Sequence, residues 1–169
     1  MFVLGVDPGL TRCGYGLVRR ADTPAPPFVA VIAGVIETDP QDSVDRRLGV
    51  LSAEIEQLLD EVSPDAVAVE RVFFQTNVRT AISVAQASGV ILAATARRGI
   101  MVGQYTPNEV KQAVVGHGAA TKSQVQEMVA RLCGLAQTPK PADVADALAL
   151  AACHLSSERW RSAVAAAQR

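Results

Sequence analysis

The chain has 169 residues, enough for one domain with a substantial core, and 49% hydrophobic against 20% charged residues excludes a disordered chain. Sixteen basic against 17 acidic residues give a net charge of −1, so there is no bulk positive charge of the kind that announces nucleic-acid binding. No basic segment precedes a long apolar run at the start, and the apolar run Val29 to Ile36 is too short to span a bilayer. The expectation is a cytoplasmic protein with no membrane contact. Cys13, Cys133 and Cys153 are odd in number, widely spaced and without a CxxC pair, which points to buried free thiols.

Val3-Leu4-Gly5-Val6 reads as a short buried strand stopped by Asp7-Pro8-Gly9. A carboxylate at the end of a core strand either caps a turn or faces a cation, because an unpaired buried charge is costly. Cys13 to Arg20 and Phe28 to Ile36 read as two further strands, joined by the proline-rich loop Ala21 to Pro27. Three strands in succession predict an antiparallel meander. From Ser43 to Val62 the apolar residues Leu48, Leu51, Ile55, Leu58 and Leu59 recur at helical spacing, and Ser63-Pro64 ends the helix. Asp65 to Glu70 is a fourth strand, again ending in an acid. A strand reached through a helical crossover lies parallel in its sheet. Placed beside the first strand, it brings Glu70 to the same edge as Asp7.

A long helix spans Asn77 to Arg97, with Ala81, Ala85 and Gly89 four apart. That seam serves either packing on the chain's own sheet or contact with the same helix of a second subunit. Gly99 to Tyr105 reads as a fifth strand. Thr106-Pro107-Asn108-Glu109 and Thr121-Lys122-Ser123-Gln124 are two helix starts with capping-box spacing. They place Lys111 on one helix and Lys122 in the first turn of the next. A final helix begins near Ala142, after Pro139-Lys140-Pro141. The expected organisation is one domain over 1–156, then a basic tail over 157–169 that has few large apolar groups and is expected to fray or be disordered.

Asp143 and Asp146 stand three apart at the start of that final helix, among alanine and valine, and so share one face. The positive end of the helix dipole favours negative charge there, but two adjacent anions still repel unless a cation sits between them. With Asp7 and Glu70 they make four oxygen donors without histidine or cysteine, a set suited to Mg2+ or Mn2+. Two such ions can bracket a phosphodiester, one activating water and the other stabilising the departing oxygen. Setting the four acids aside leaves 13 acids against 16 basic residues, a surplus of three positive charges on the remaining surface.

The combination resembles the RuvC Holliday-junction resolvases, within the ribonuclease-H-like superfamily. The resemblance runs from about Met1 to His154. It is carried by Gly5-Val6-Asp7-Pro8-Gly9 with Gly14-Tyr15-Gly16, by Glu70-Arg71-Val72-Phe73-Phe74, by Val110 to Gly116, by Lys122 to Gln126, and by Asp143 to Ala149. It implies an α/β fold with a five-stranded mixed sheet, an antiparallel three-strand meander plus two parallel strands, flanked by helices. It implies a homodimeric endonuclease of DNA recombination and repair that cuts four-way junction DNA symmetrically, leaves 5′-phosphate and 3′-hydroxyl ends, and works with the RuvAB branch-migration complex. Asp7, Glu70, Asp143 and Asp146 match the family's metal-binding acids, for two Mg2+ per subunit with Mn2+ as substitute. Lys111 and Lys122 match basic residues near the scissile phosphate, Lys122 with a catalytic or a binding role. Phe73 matches an aromatic that stacks on an unpaired base. Phe74 makes a second ring where many relatives have one, which leaves open which of them stacks. The helix from Asn77 is poor in lysine, so Arg79, Arg97 and Arg98 are the expected sources of positive charge there.

Two other readings are weighed beside this one. A sugar-kinase or actin-like phosphotransferase also places an acid after its first strand, but it needs two such domains around a nucleotide. A non-catalytic junction-binding module would be favoured by loss of a metal acid, and none is missing.

Overall fold

The computed structural model describes the backbone of residues 1–72 and 78–167, and the side chains of 1–72 and 81–157. Strands β1 (Phe2–Asp7), β2 (Arg12–Arg20) and β3 (Phe28–Glu37) form the antiparallel meander. Helix α1 (Val44–Val62) crosses to β4 (Ala66–Glu70), which pairs parallel with β1. Helix α2 (Val78–Arg97) leads to β5 (Met101–Tyr105), parallel to β4, and the sheet order is β3-β2-β1-β4-β5. Helices α3 (Pro107–Val115), α4 (Lys122–Leu132) and α5 (Ala142–Ala167) follow. This is the ribonuclease-H-like mixed sheet that the resemblance implies.

Strand alternation sorts the core into two layers. Leu4, Val6, Cys13, Leu17, Val67 and Val69 face one way and pack with Leu51, Ile55 and Leu59 of α1 and with Ala87 and Ile91 of α2. Val3, Val18, Ala66 and Ala68 face the other way and pack with Val110 and Val114 of α3, Val125 and Val129 of α4, and Leu148 and Ala152 of α5. Each fully buried leucine contributes about 2 kcal/mol through removal of apolar surface from water. All three cysteines are buried free thiols, and burial pushes Cys13 up to about 12.

Local signals fix where the helices begin and end. Ser63 takes a left-handed conformation at φ 42°, and its N–H donates to Leu59 O, closing α1 before Pro64. The two capping boxes are formed. Thr106 N–H donates to Glu109 Oε2 at 2.8 Å while Glu109 N–H donates to Thr106 Oγ1 at 3.1 Å. Thr121 and Gln124 reciprocate in the same way, at 2.8 and 3.3 Å.

Helix α5 lies directly over β1 and β2 because the sheet is bare beneath it. A Cβ on Gly5 would stand 1.9 Å from Ala147 O, and one on Gly14 would stand 2.1 Å from Asp143 O. Neither position admits a side chain without displacing helix backbone. The helix answers with small residues of its own, buried Ala145, Ala147, Ala149 and Ala151. No helix among the described residues is long and apolar enough to cross a membrane.

Candidate active site

Asp7 and Glu70 are the last residues of β1 and β4, which are parallel neighbours in register Val6↔Val69. Alternation puts both carboxylates on the α5 side of the sheet, since Val6 and Val69 belong to the opposite layer. Asp143 and Asp146 stand at the start of α5, where that helix is pressed onto Gly14 and Gly5. The strand ends and the helix start therefore bring all four acids to one corner, and all four are half-buried.

Electrostatics register this crowding. Burial pushes the Asp7 carboxyl up to about 7, reinforced by repulsion from Glu70, Asp146 and Asp143 and opposed by Lys122. Glu70 is raised by burial and by Asp146, against the pull of Lys122. Four like charges in a partly desolvated corner call for a cation.

Two cations of the chain itself answer. Lys122 Nζ lies 2.7 Å from Asp146 Oδ2. Asp146 in turn raises the Lys122 ammonium, first through this hydrogen bond, so the lysine stays charged well above neutral pH. Arg12 Nε donates to Asp143 Oδ2 at 3.1 Å. Among the described residues, no three Asp, Glu, His or Cys side chains close up tightly enough to grip one ion in this arrangement. The donors nevertheless suit a hard divalent cation: they are all carboxylates, they repel one another, and burial together with that repulsion raises Asp7, a shift that a nearby cation would oppose.

A family model for the crossover junction endodeoxyribonuclease RuvC matches residues 3–154. The chain belongs to the RuvC family. A RuvC relative from Parafrankia sp. (strain EAN1pec), named crossover junction endodeoxyribonuclease, is 52% identical over 169 residues, covering 100% of this chain and 92% of that protein. The Salinispora arenicola (strain CNS-205) RuvC is 53% identical over 167 residues, covering 99% and 94%. Among solved structures, Thermus thermophilus RuvC in complex with Holliday junction substrate superimposes with a TM-score of 0.87 at 37% identity, covering 95% of this chain and 96% of that one.

Of the other residues that the RuvC resemblance singles out, Lys111 lies half-buried on α3 and makes no ion pair among the described residues. Phe73 and Phe74 fall outside the described residues, as does the side chain of Arg79. Arg97 and Arg98 correct the sequence expectation. A crossover helix starts at the end of the sheet that carries Asp7 and Glu70 and returns to the other, so the end of α2 lies away from the acids. There Arg97 pairs with Glu56 at 2.6 Å, and Arg98 pairs with Asp60 at 2.7 Å, binding α2 to α1 rather than offering charge to a nucleic acid. His154 is a core residue, buried with Nδ1 at 2.9 Å from Tyr105 OH, while His117 is an exposed residue of the turn after α3.

Arg12 was not legible as a site residue. In sequence it is one arginine in a hairpin turn. The signal available was its strand parity, since Arg12 shares a face with Gly14 and Gly16, and that face matters only once a helix is known to cover it.

Proposed function

We propose that this chain is a homodimeric, metal-dependent endonuclease that resolves four-way DNA junctions by two symmetric phosphodiester cuts in the cytoplasm. The observation that carries this reading is the convergence of Asp7, Glu70, Asp143 and Asp146 on one sheet corner, where burial, reinforced by repulsion from the other three acids, pushes Asp7 up to about 7. The Thermus thermophilus RuvC that the fold matches so closely is a protein solved with Holliday junction substrate.

The four carboxylates would hold two Mg2+ ions, with Mn2+ as a substitute, and these would supply an activated water and stabilisation of the departing 3′ oxygen. Asp7 and Glu70 are the rigid pair, fixed by adjacent strands. Asp143 and Asp146 are the pair that α5 carries to the site. Lys122, charged and beside Asp146, is placed to neutralise the scissile phosphate or to hold a proton near the leaving oxygen. Lys111, Arg79 and one of the rings Phe73 and Phe74 would extend the DNA contact, through phosphate charge and base stacking. The ends left would be 5′-phosphate and 3′-hydroxyl. One nuclease domain over 1–156 suffices for a single cut.

Two cuts on a two-fold-symmetric junction need two such sites. The outer face of α2 supports the dimer. Ile82, Gly89 and Ala93 are exposed there, and a Cβ on Gly89 would meet nothing within 4 Å. Handover of the junction from RuvAB belongs to the same reading.

The test uses a synthetic four-way junction, a matched linear duplex, and Mg2+ with or without EDTA. The parent chain should cut the junction alone, in symmetric pairs and only with metal, while Asp146→Asn binds it without cutting. A parent that binds but never cuts with any divalent ion would be a binding module, and preference for the linear duplex would end the junction reading.

A further inference from the structure

Arg12 opens β2 and points to the α5 side of the sheet, the side of its strand neighbours Gly14 and Gly16. It joins three elements. Its Nε donates to Asp143 Oδ2 at 3.1 Å, and its second nitrogen lies 3.2 Å from Glu37 Oε1. Glu37 is its directly opposed partner on β3.

From this geometry we infer that Arg12 is a positioning residue for Asp143, holding the helix-borne carboxylate in the orientation in which it ligates metal. The proposal rests on the metal-dependent reading above. The backbone of Asp143 is already set, because β2 has no side chain at Gly14 and the carbonyl of Asp143 sits against it. Its carboxylate still has two free side-chain torsions. Asp7 and Glu70 need less help, since each ends a strand in the middle of the sheet. Arg12 reaches Asp143 through one N–H to one oxygen, which leaves Oδ1 available as a ligand.

A guanidinium beside a metal site ought to repel the metal. Glu37 offsets that charge, so the set Glu37–Arg12–Asp143 keeps a net negative charge and the corner still attracts cations. Arg12 can therefore orient the ligand without cancelling it. Groups that hydrogen-bond a ligating carboxylate in this way typically change metal affinity by about 10–100-fold when removed.

The experiment compares the parent with Arg12→Gln, Arg12→Lys and Glu37→Gln. Mn2+ binding is read from the free-ion electron paramagnetic resonance signal. Junction affinity is measured in EDTA, and cleavage is measured across a Mg2+ titration. Arg12→Gln should weaken Mn2+ binding about tenfold. It should raise the Mg2+ needed for half-maximal cleavage by a similar factor and change the plateau rate far less. Arg12→Lys should recover part of the loss, Glu37→Gln should move the same way by less, and junction affinity in EDTA should hold. Melting curves in EDTA confirm that each variant is folded. Unchanged Mn2+ affinity in Arg12→Gln overturns the proposal. So does tighter binding, which would make Arg12 a competitor of the metal. Loss of junction affinity with normal Mn2+ binding also overturns it and makes Arg12 a phosphate contact. A parent that neither binds Mn2+ nor cuts would instead remove the reading on which the proposal rests.

Discussion

Lys122 Nζ and Asp146 Oδ2 stand 2.7 Å apart, joining the first residue of α4 to the first turns of α5. The Thr121–Gln124 capping box fixes where α4 begins, and so fixes which residue faces Asp146. The lysine is therefore held at the acidic corner by helix-start chemistry as well as by charge. Removing a positioned proton donor or phosphate-neutralising group costs about 10²–10⁴ in rate. Lys122→Ala should lose activity on that scale at saturating junction, with Lys122→Arg retaining charge but not the proton-transfer capacity. Single-turnover cleavage against pH separates the roles: if both variants match the parent, Lys122 takes no part in the reaction.

Asp7 should make the metal-free protein less stable as pH rises. Its carboxyl titrates near 7 when folded, against an ordinary value of 3.8. The folded state thus binds the more protons between about pH 4 and 7, and stability falls across that window and levels off above it. Glu70 is raised too and adds in the same direction. Asp7→Asn should remove most of the slope and stabilise the protein in EDTA at pH 8 by about 2–4 kcal/mol. Mg2+ should raise the melting temperature of the parent at pH 8 and leave that of the variant nearly unmoved. Thermal melts from pH 5 to 8 with and without Mg2+ check both points.

Gly14→Ala should damage the site through the backbone. The new methyl would fall 2.1 Å from Asp143 O, so the first turn of α5 must lift from β2. A cost of about 3 kcal/mol or more is expected, with Mg2+ affinity reduced at the same time. Urea unfolding gives the first quantity and Mn2+ titration the second.

Tyr105→Phe should separate stability from catalysis. The Tyr105 hydroxyl and His154 Nδ1 form a buried contact at 2.9 Å between β5 and α5. Its loss should cost about 1 kcal/mol while junction cleavage stays at the parent rate. Denaturant midpoints and cleavage assays on one preparation decide this.

Arg98→Ala tests the correction to the DNA surface. Arg98 reaches Asp60 and Glu56 of α1 at the end of the sheet away from the acids. Junction affinity should stay within about twofold of the parent and keep the same dependence on salt, since no phosphate contact is lost. A shallower salt slope in an electrophoretic mobility assay would restore Arg98 to the DNA surface.

The sequence by itself determined the elements and the four acids. Leu51, Ile55 and Leu59 announce α1 by their period, the two threonines announce α3 and α4 by their caps, and the acids stand out because each interrupts an apolar run. These are local properties, written within one turn or one strand. What the tertiary structure decided is which faces meet. Only strand pairing set Asp7 and Glu70 on the α5 side, only the bare stripe of Gly5 and Gly14 brought Asp143 and Asp146 down to them, and only the β2–β3 register and the packing of α5 on β2 gave Arg12 its two carboxylates, Glu37 and Asp143. The same assembly turned Arg97 and Arg98 into ties between helices. A charged side chain on a surface helix looks alike in sequence whether it meets DNA or a neighbouring helix. Its partner lies tens of residues away, and only the fold supplies it.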